Sequence, residues 1–350
     1  MRAAIVTGAF PPSREPVATT VKHLVDEAVR HGHRPLVLAP GVGPASYRGV
    51  PVVRIRGGDT SAIRRELAAL GPDVVHVADP RLAGPQAVRV ARQLGLPTVV
   101  SQHSVGEGPV PPWWKRGATT DADLTLATCL WALDRLDAGS PPGRTSLWRP
   151  GTDTDLYCPA MRDERLVEHW SRGRDLVVGH VGDVSRPRVV RRLAAIAELP
   201  GVRLVVLRAG PGAERFRARV PGAKVSGDLS GVDLAHALAS LDVLVVPRRK
   251  ELDCHTARRA LASGVPVVGV AGGGVTDVVA DGVNGLVVRA DDEYGVPAAV
   301  ARLRRDPELR ARLGSRARAG VVTRTWADAY DELVAVHWAS VLPGRAVRTA

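Results

Sequence analysis

The chain predicts an α/β protein made of two doubly wound parallel-sheet domains. Three observations predict it. Short β-branched runs alternate with helix-period segments nearly throughout. Those runs are apolar on both faces, as strands covered by helices on both sides must be. The alternation also restarts after a turn-rich stretch, Ser140-Pro141-Pro142-Gly143 and Arg149-Pro150-Gly151-Thr152-Asp153. Taken in order, the first half offers strands at residues 4–7, 35–39, 52–55, 73–77 and 98–101, with helices at 20–31 and 84–94. A short helix near 163–171 opens the second half. Its strands follow at 176–182, 203–208, 224–226, 243–246, 266–270 and 285–288. Right-handed crossovers wind each set into a layer with ligands beyond the carboxyl ends of its strands. The expected boundaries are 1–150 and 151–324, with a cleft between the domains. A terminal helix, about 325–341, is expected to pack back on the first.

Composition narrows the class. At 350 residues and 45% hydrophobic content the chain can fill two cores, and with 4% aromatics those cores are aliphatic. No apolar run is long enough to span a membrane, and the N-terminus begins with a strand pattern rather than a signal peptide. A cytoplasmic location is expected. The formal charge of +12 comes almost wholly from arginine, with lysine only at Lys22, Lys115, Lys224 and Lys250. These arginines are spread over helices without a basic tract, so no nucleic-acid partner is expected, whereas a weak peripheral attraction to anionic lipid is. Cys129, Cys158 and Cys254 have neither metal nor disulfide spacing and read as small apolar residues.

Several motifs carry a resemblance. Ile5-Val6-Thr7-Gly8-Ala9-Phe10-Pro11-Pro12, Pro72-Asp73-Val74-Val75-His76 and Gly151-Thr152-Asp153-Thr154-Asp155 lie in the first half and the linker. Ala239-Ser240-Leu241-Asp242-Val243, Ala260-Leu261-Ala262-Ser263-Gly264-Val265-Pro266 and Gly272-Gly273-Gly274 lie in the second. Together they resemble glycosyltransferase family 4, with most similarity to actinobacterial GDP-mannose-dependent α-mannosyltransferases, over about residues 1–341. The resemblance implies the GT-B fold, with the acceptor on the N-terminal domain and a nucleotide-diphosphate sugar on the C-terminal one. It also implies retention of anomeric configuration, with no metal and no cofactor.

The chemistry of such a transfer dictates what to look for. Negative charge grows on the leaving diphosphate, so cations and backbone amides must meet it. The family's diphosphate arginine and lysine fall on Asp183 and Arg188, with Arg186 available as a substitute cation. A carboxylate facing a diphosphate would cost on the order of several kcal/mol if desolvated. The alternative is that Asp183 only begins a turn. The family's signature helix is expected to open at Glu251, a donor-sugar contact, with His255 four residues on along the same face, either a ligand contact or a surface imidazole. Its ribose-binding carboxylate position holds Arg259, which has no acceptor and is left to pair with a phosphate or with Asp253. The Gly272-Gly273-Gly274 loop offers amides at Gly273 and Gly274, followed by Asp277.

In the N-terminal domain the loop Ser13-Arg14-Glu15 leads to Pro16, where the family has glycine. His103, at the end of the strand Thr98 to Ser101, is the candidate reaction-centre residue. Trp113-Trp114 with Lys115 and Arg116 reads as an acceptor wall, a membrane-facing wedge or a pair packed under the loop. Two functions are consistent with this pattern. One is a retaining hexosyltransferase, with a mannosyl donor among the options and a glycan, lipid or small-molecule acceptor. The other is a GT-B protein that has lost donor binding and serves as a protein partner of an active enzyme, suggested by Pro16, Asp183, Asp253 and Arg259.

Overall fold

The computed structural model describes residues 1–56, 59–80, 83–103 and 121–343. It divides into two compact units, Met1–Gly151 with Trp326–Ala350, and Thr152–Thr325.

The first unit is an eight-stranded sheet. Its strands are β1 (Arg2–Thr7), β2 (Arg34–Pro40), β3 (Ser46–Tyr47), β4 (Val50–Ile55), β5 (Val74–Ala78), β6 (Thr98–Gln102), β7 (Leu124–Ala127) and β8 (Thr145–Leu147). The order is β3-β4-β2-β1-β5-β6-β7-β8, parallel everywhere except β3 against β4. Chain direction across the sheet reverses between β1 and β5, which makes their carboxyl ends the switch point. β3, β7 and β8 were not expected from sequence. They have two, four and three residues, too few for periodicity to declare.

The terminal segment packs on this unit. Trp326, Ala329, Tyr330, Leu333 and Trp338 lie in one core cluster with Val17, Val21 and Leu24 of the helix Pro16–Arg30. Trp326 stacks on the His23 ring at 4.6 Å between centroids, and the Trp148 indole donates to the Ala329 carbonyl at 2.8 Å. The helical run is not uniform. An α-helix at Trp326–Glu332 passes into a π-helical turn at Leu333–Trp338 before returning to α at Ala339–Val341. The wider π turn changes the angular position of the side chains after it, and such turns are frequent at functional sites.

The second unit holds six parallel strands: β9 (Leu176–Val181), β10 (Val202–Leu207), β11 (Lys224–Val225), β12 (Val243–Val246), β13 (Val267–Val270) and β14 (Gly285–Val288). Their order is β11-β10-β9-β12-β13-β14, so the switch point lies between β9 and β12. β12 and β13 are buried throughout. Buried Arg192, in the helix Pro187–Ala197, ties the loops together by donating to the carbonyls of Pro247 at 2.8 Å, Asp292 at 3.1 Å and Ala290 at 3.3 Å. Asp163 and Asp306 cap the helices that follow them, accepting from Arg165 and Leu309 amides.

Candidate active site

In the first unit the chemistry gathers where β5 and β6 end. His76 lies inside β5, wholly buried, and Ser101 lies two residues beyond its register neighbour Val99 on β6. The His76 Nε2 and Ser101 Oγ atoms are 2.8 Å apart, and Ser101 Oγ is 2.7 Å from His103 Nε2. On the far side of His76 the Trp338 indole donates to Nδ1 at 3.0 Å. Burial, with the His103 and His337 rings nearby, pushes His76 down to about 3. His103 is itself buried, edge-on to Trp148. Asp79, just beyond β5, is buried and holds a left-handed φ of 76°, a conformation that costs energy in a non-glycine residue and concentrates at functional sites. Ser104 and the Trp113-Trp114-Lys115-Arg116 group lie outside the described residues.

The loop after β1 closes on itself. Ser13 donates its amide to the Phe10 carbonyl at 3.1 Å and accepts from the Glu15 amide at 3.4 Å. Arg14 and Glu15 are exposed. Pro16 is the first residue of its helix, where a missing amide is harmless and a fixed φ is favourable. Its departure from glycine therefore has a local structural cause.

In the second unit three loops meet beyond β9, β12 and β13. Here the structure corrects the sequence reading at several residues. Glu251 does not open a helix. The helix starts four residues later, at His255, and Glu251 sits in an extended segment bridged in parallel to Gly273. Glu251 and His255 therefore do not share a helix face. Glu251 is half-buried, and desolvation pushes its carboxyl above the ordinary range. Arg248 opposes that shift and Asp253 adds to it. His255 is not a surface imidazole. It is buried, with Nε2 3.2 Å from the Asp253 carboxylate, itself buried. Burial lowers its pKa, Asp253 opposes, and Arg259 and Arg258 reinforce the lowering. Asp253 thus finds His255 rather than Arg259. The Arg259 guanidinium lies over the Tyr157 ring, 4.9 Å from its centroid.

The glycine loop also has a different cause from the expected one. A Cβ on Gly273 would lie 2.6 Å from the Glu251 carbonyl oxygen, and one on Gly274 would overlap the Leu252 carbonyl. The glycines let the Glu251 segment cross them. The Gly274 amide donates to the Glu251 carbonyl at 2.6 Å, so it does not serve a phosphate. The helix after it, carrying half-buried Asp277, has four residues. Asp183 accepts from the Ser185 amide at 2.9 Å and from the Ser185 hydroxyl, which is the turn-forming alternative. It pairs with neither Arg188 nor Arg259 among the described residues. Arg186 is the half-buried residue preceding the helix Pro187–Ala197, and Arg188 is exposed in its first turn.

Sequence reasoning missed His180. It is the penultimate residue of β9 and buried, with Nδ1 3.2 Å from the Val245 carbonyl. Burial lowers its pKa to about 4, the Val245 bond opposes, Arg248 adds to the lowering and Asp183 opposes it. Arg248 was missed as well, although its charge acts on both His180 and Glu251. Only its position two residues after β12, at the switch point, marked it. Among the described residues no group of three or more histidine, cysteine or acidic side chains is arranged to hold a metal ion.

Known proteins share this plan along the whole chain. Residues 17–156 match the Glycosyltransferase Family 4 description, and residues 189–320 match Glycosyl transferases group 1. The chain is 35% identical to a GDP-mannose-dependent alpha-mannosyltransferase of Mycolicibacterium smegmatis, with both chains covered completely. The chain is a family 4 glycosyltransferase. A protein of the same description from Mycobacterium tuberculosis is 32% identical over 100% of this chain and 99% of its own. Among solved structures, sucrose-phosphate synthase from Thermosynechococcus elongatus superposes with a TM-score of 0.82 at 19% identity, covering 96% of this chain and 98% of that one. Anabaena HepE in complex with UDP superposes at 0.79 and 17% identity, covering 97% and 100%. Both structures share the GT-B fold. No helix among the described residues is long and apolar enough to cross a membrane.

Proposed function

We propose that this glycosyltransferase moves a mannosyl group from GDP-mannose to a hydroxyl acceptor with retention of configuration and without a metal ion. The observation that carries the proposal is the convergence of Arg186 and Arg188, the Arg248-to-Glu251 segment and the glycine crossing at the carboxyl ends of β9, β12 and β13. Full-length relatives described as GDP-mannose-dependent alpha-mannosyltransferases supply the donor. In the reaction the acceptor oxygen bonds to the anomeric carbon as the bond from that carbon to the β-phosphate oxygen breaks. The acceptor proton passes to the departing diphosphate, and attack comes from the face the diphosphate leaves. Arg188 and Arg186 meet the charge that grows on the phosphate, where a guanidinium fork matches phosphate oxygens. In this reading Glu251 orients a sugar hydroxyl, and His103 is the residue of the acceptor-side unit assigned to the reaction. Enclosure raises the proton affinity of Glu251, and a sugar hydroxyl donating to its ionised form would relieve that desolvation.

The same reading places the enzyme in the cytoplasm, with its positive charge giving weak attraction to anionic lipid headgroups. Non-catalytic partnership gains no support, since Asp183 closes a turn with Ser185 instead of occupying a cation of the site. Titration calorimetry against GDP, UDP, ADP and dTDP and their hexose conjugates tests the donor. GDP-mannose binding in the micromolar range, tighter than GDP alone, is the expected result. Heat with UDP-sugars only, or with none, would remove the donor assignment. NMR of the anomeric proton in the product then reports retention or inversion.

A further inference from the structure

The buried side chains behind His103 form a hydrogen-bonded line in which every proton position is determined by chemistry. It begins at Trp338. An indole N–H can only donate, so His76 Nδ1, 3.0 Å away, must offer a lone pair. The proton of neutral His76 then sits on Nε2 and is donated to Ser101 Oγ at 2.8 Å. Among the described residues Ser101 Oγ has one other hydrogen-bond partner, His103 Nε2 at 2.7 Å. Among those residues its hydroxyl hydrogen has only that acceptor, because His76 Nε2 is already a donor. His103 Nε2 therefore accepts, and the ring proton of His103 lies on Nδ1. All four side chains are buried, so no bulk water is present to scramble the order. The π-helical turn Leu333–Trp338 ends on the residue that starts the line. His337, 3.2 Å from the Glu332 carboxylate, and His103 are the titratable groups whose charges act on His76.

We infer that Trp338, His76 and Ser101 are positioning residues that lock His103 in its Nδ1–H tautomer. In that tautomer His103 Nδ1 is a hydrogen-bond donor, of the kind a hydroxyl or phosphate oxygen accepts. It is not a base. The tautomer assignment stands on the geometry alone. Its use in catalysis rests on the proposed transfer reaction, in which the departing diphosphate takes the acceptor proton.

The test is 15N-histidine NMR of the full chain at about pH 8, above the ordinary histidine range, with signals assigned by His103→Gln and His76→Gln. Protonated and bare ring nitrogens of a neutral imidazole differ widely in shift. The wild type is expected to show His103 protonated at Nδ1 and bare at Nε2, and His76 the reverse. Trp338→Phe keeps an aromatic ring but removes the donor, and both histidines should then populate both tautomers. Ser101→Ala should release His103 while His76 keeps its tautomer, and Ser101→Thr should restore His103. A merely structural role would move none of these ratios. Protonated Nε2 on wild-type His103 overturns the inference whatever the donor proves to be. So does an unchanged His103 in Ser101→Ala. Both readings stand without Trp338→Phe if that variant does not fold.

Discussion

The two sheets end in opposite ways. At β5 and β6 the first unit carries His76, Ser101 and His103 in a line of neutral groups, with an indole as its source. At β9, β12 and β13 the second unit carries Arg248, Glu251, Asp253, His255 and Asp183, nearly all of them formally charged. The folds beneath are alike, so the difference belongs to the task. A neutral line fixes direction, because each donor has one acceptor and the order cannot be reversed without losing a buried hydrogen bond. A charged cluster manages field strength, because each charge moves its neighbours' proton affinities and is itself tuned by them. Glu251 shows this: desolvation raises it while Arg248 holds it back. A leaving diphosphate needs the second arrangement. A reacting centre that must present one particular atom needs the first.

The sharpest way to break this contrast is at His103. His103→Ala should lower turnover by about 100-fold, the scale of losing one positioned donor in a water-excluded site, with donor affinity by calorimetry nearly unchanged. A donor affinity that falls as far as turnover would put His103 in the charge-managing class instead. Next in size is the glycine crossing. Gly274→Ala drives a methyl onto the Leu252 carbonyl and should destabilise the second unit by about 2–3 kcal/mol, read as a lower urea midpoint. Full stability would mean the crossing is loose and the Glu251 segment not held by it.

Two titrations compare the units directly. A histidine whose folded pKa is depressed contributes stability that is present above its unfolded value of about 6.5 and lost as pH falls through the folded value. For His180 that loss runs down to about 4 and for His76 to about 3. Each is worth on the order of 3–5 kcal/mol at full development. His180→Asn, whose amide still donates toward Val245, should flatten the acid loss in the first window. His76→Asn should flatten the continuation to lower pH. Urea midpoints between neutral pH and about pH 3 decide it, and identical profiles for both variants and wild type would show that neither ring is held neutral.

Glu251 has the opposite sign. Its raised folded pKa favours the protonated form, so its contribution is present below the ordinary carboxyl value and lost as pH rises through the folded one. Glu251→Gln should therefore raise the melting temperature at neutral pH by about 2–4 °C, roughly 1 kcal/mol in a unit of this size, while weakening donor binding. A gain in stability with binding intact would remove Glu251 from the site. The smallest effect is expected at Arg259. Arg259→Met should cost about 0.5–1 kcal/mol through the lost contact with the Tyr157 ring.

Much of this was legible along the chain. Apolar runs such as Val243-Leu244-Val245-Val246 announce a buried parallel strand because both faces must avoid water, and that constraint acts locally. The family motifs and the strand end at His103 were legible for the same reason. The start of the helix at His255 was not. Cys254 takes a left-handed φ of 49° there, and the Glu251 segment is held extended by its bridge to Gly273, a residue 22 positions away. Local propensity has no access to such a partner.

The sequence by itself determined the layered α/β plan, the family and the set of residues at the strand ends. Periodicity and motif spacing are properties of neighbouring residues, and neighbours are what a sequence lists. Only the tertiary structure decided that Asp183 closes a turn, that Asp253 meets His255, that Arg259 lies over Tyr157, and that Trp338 reaches His76 from 262 residues away. Those outcomes depend on burial and on which donor finds which acceptor, and both are set only when distant segments exclude water from the same small volume.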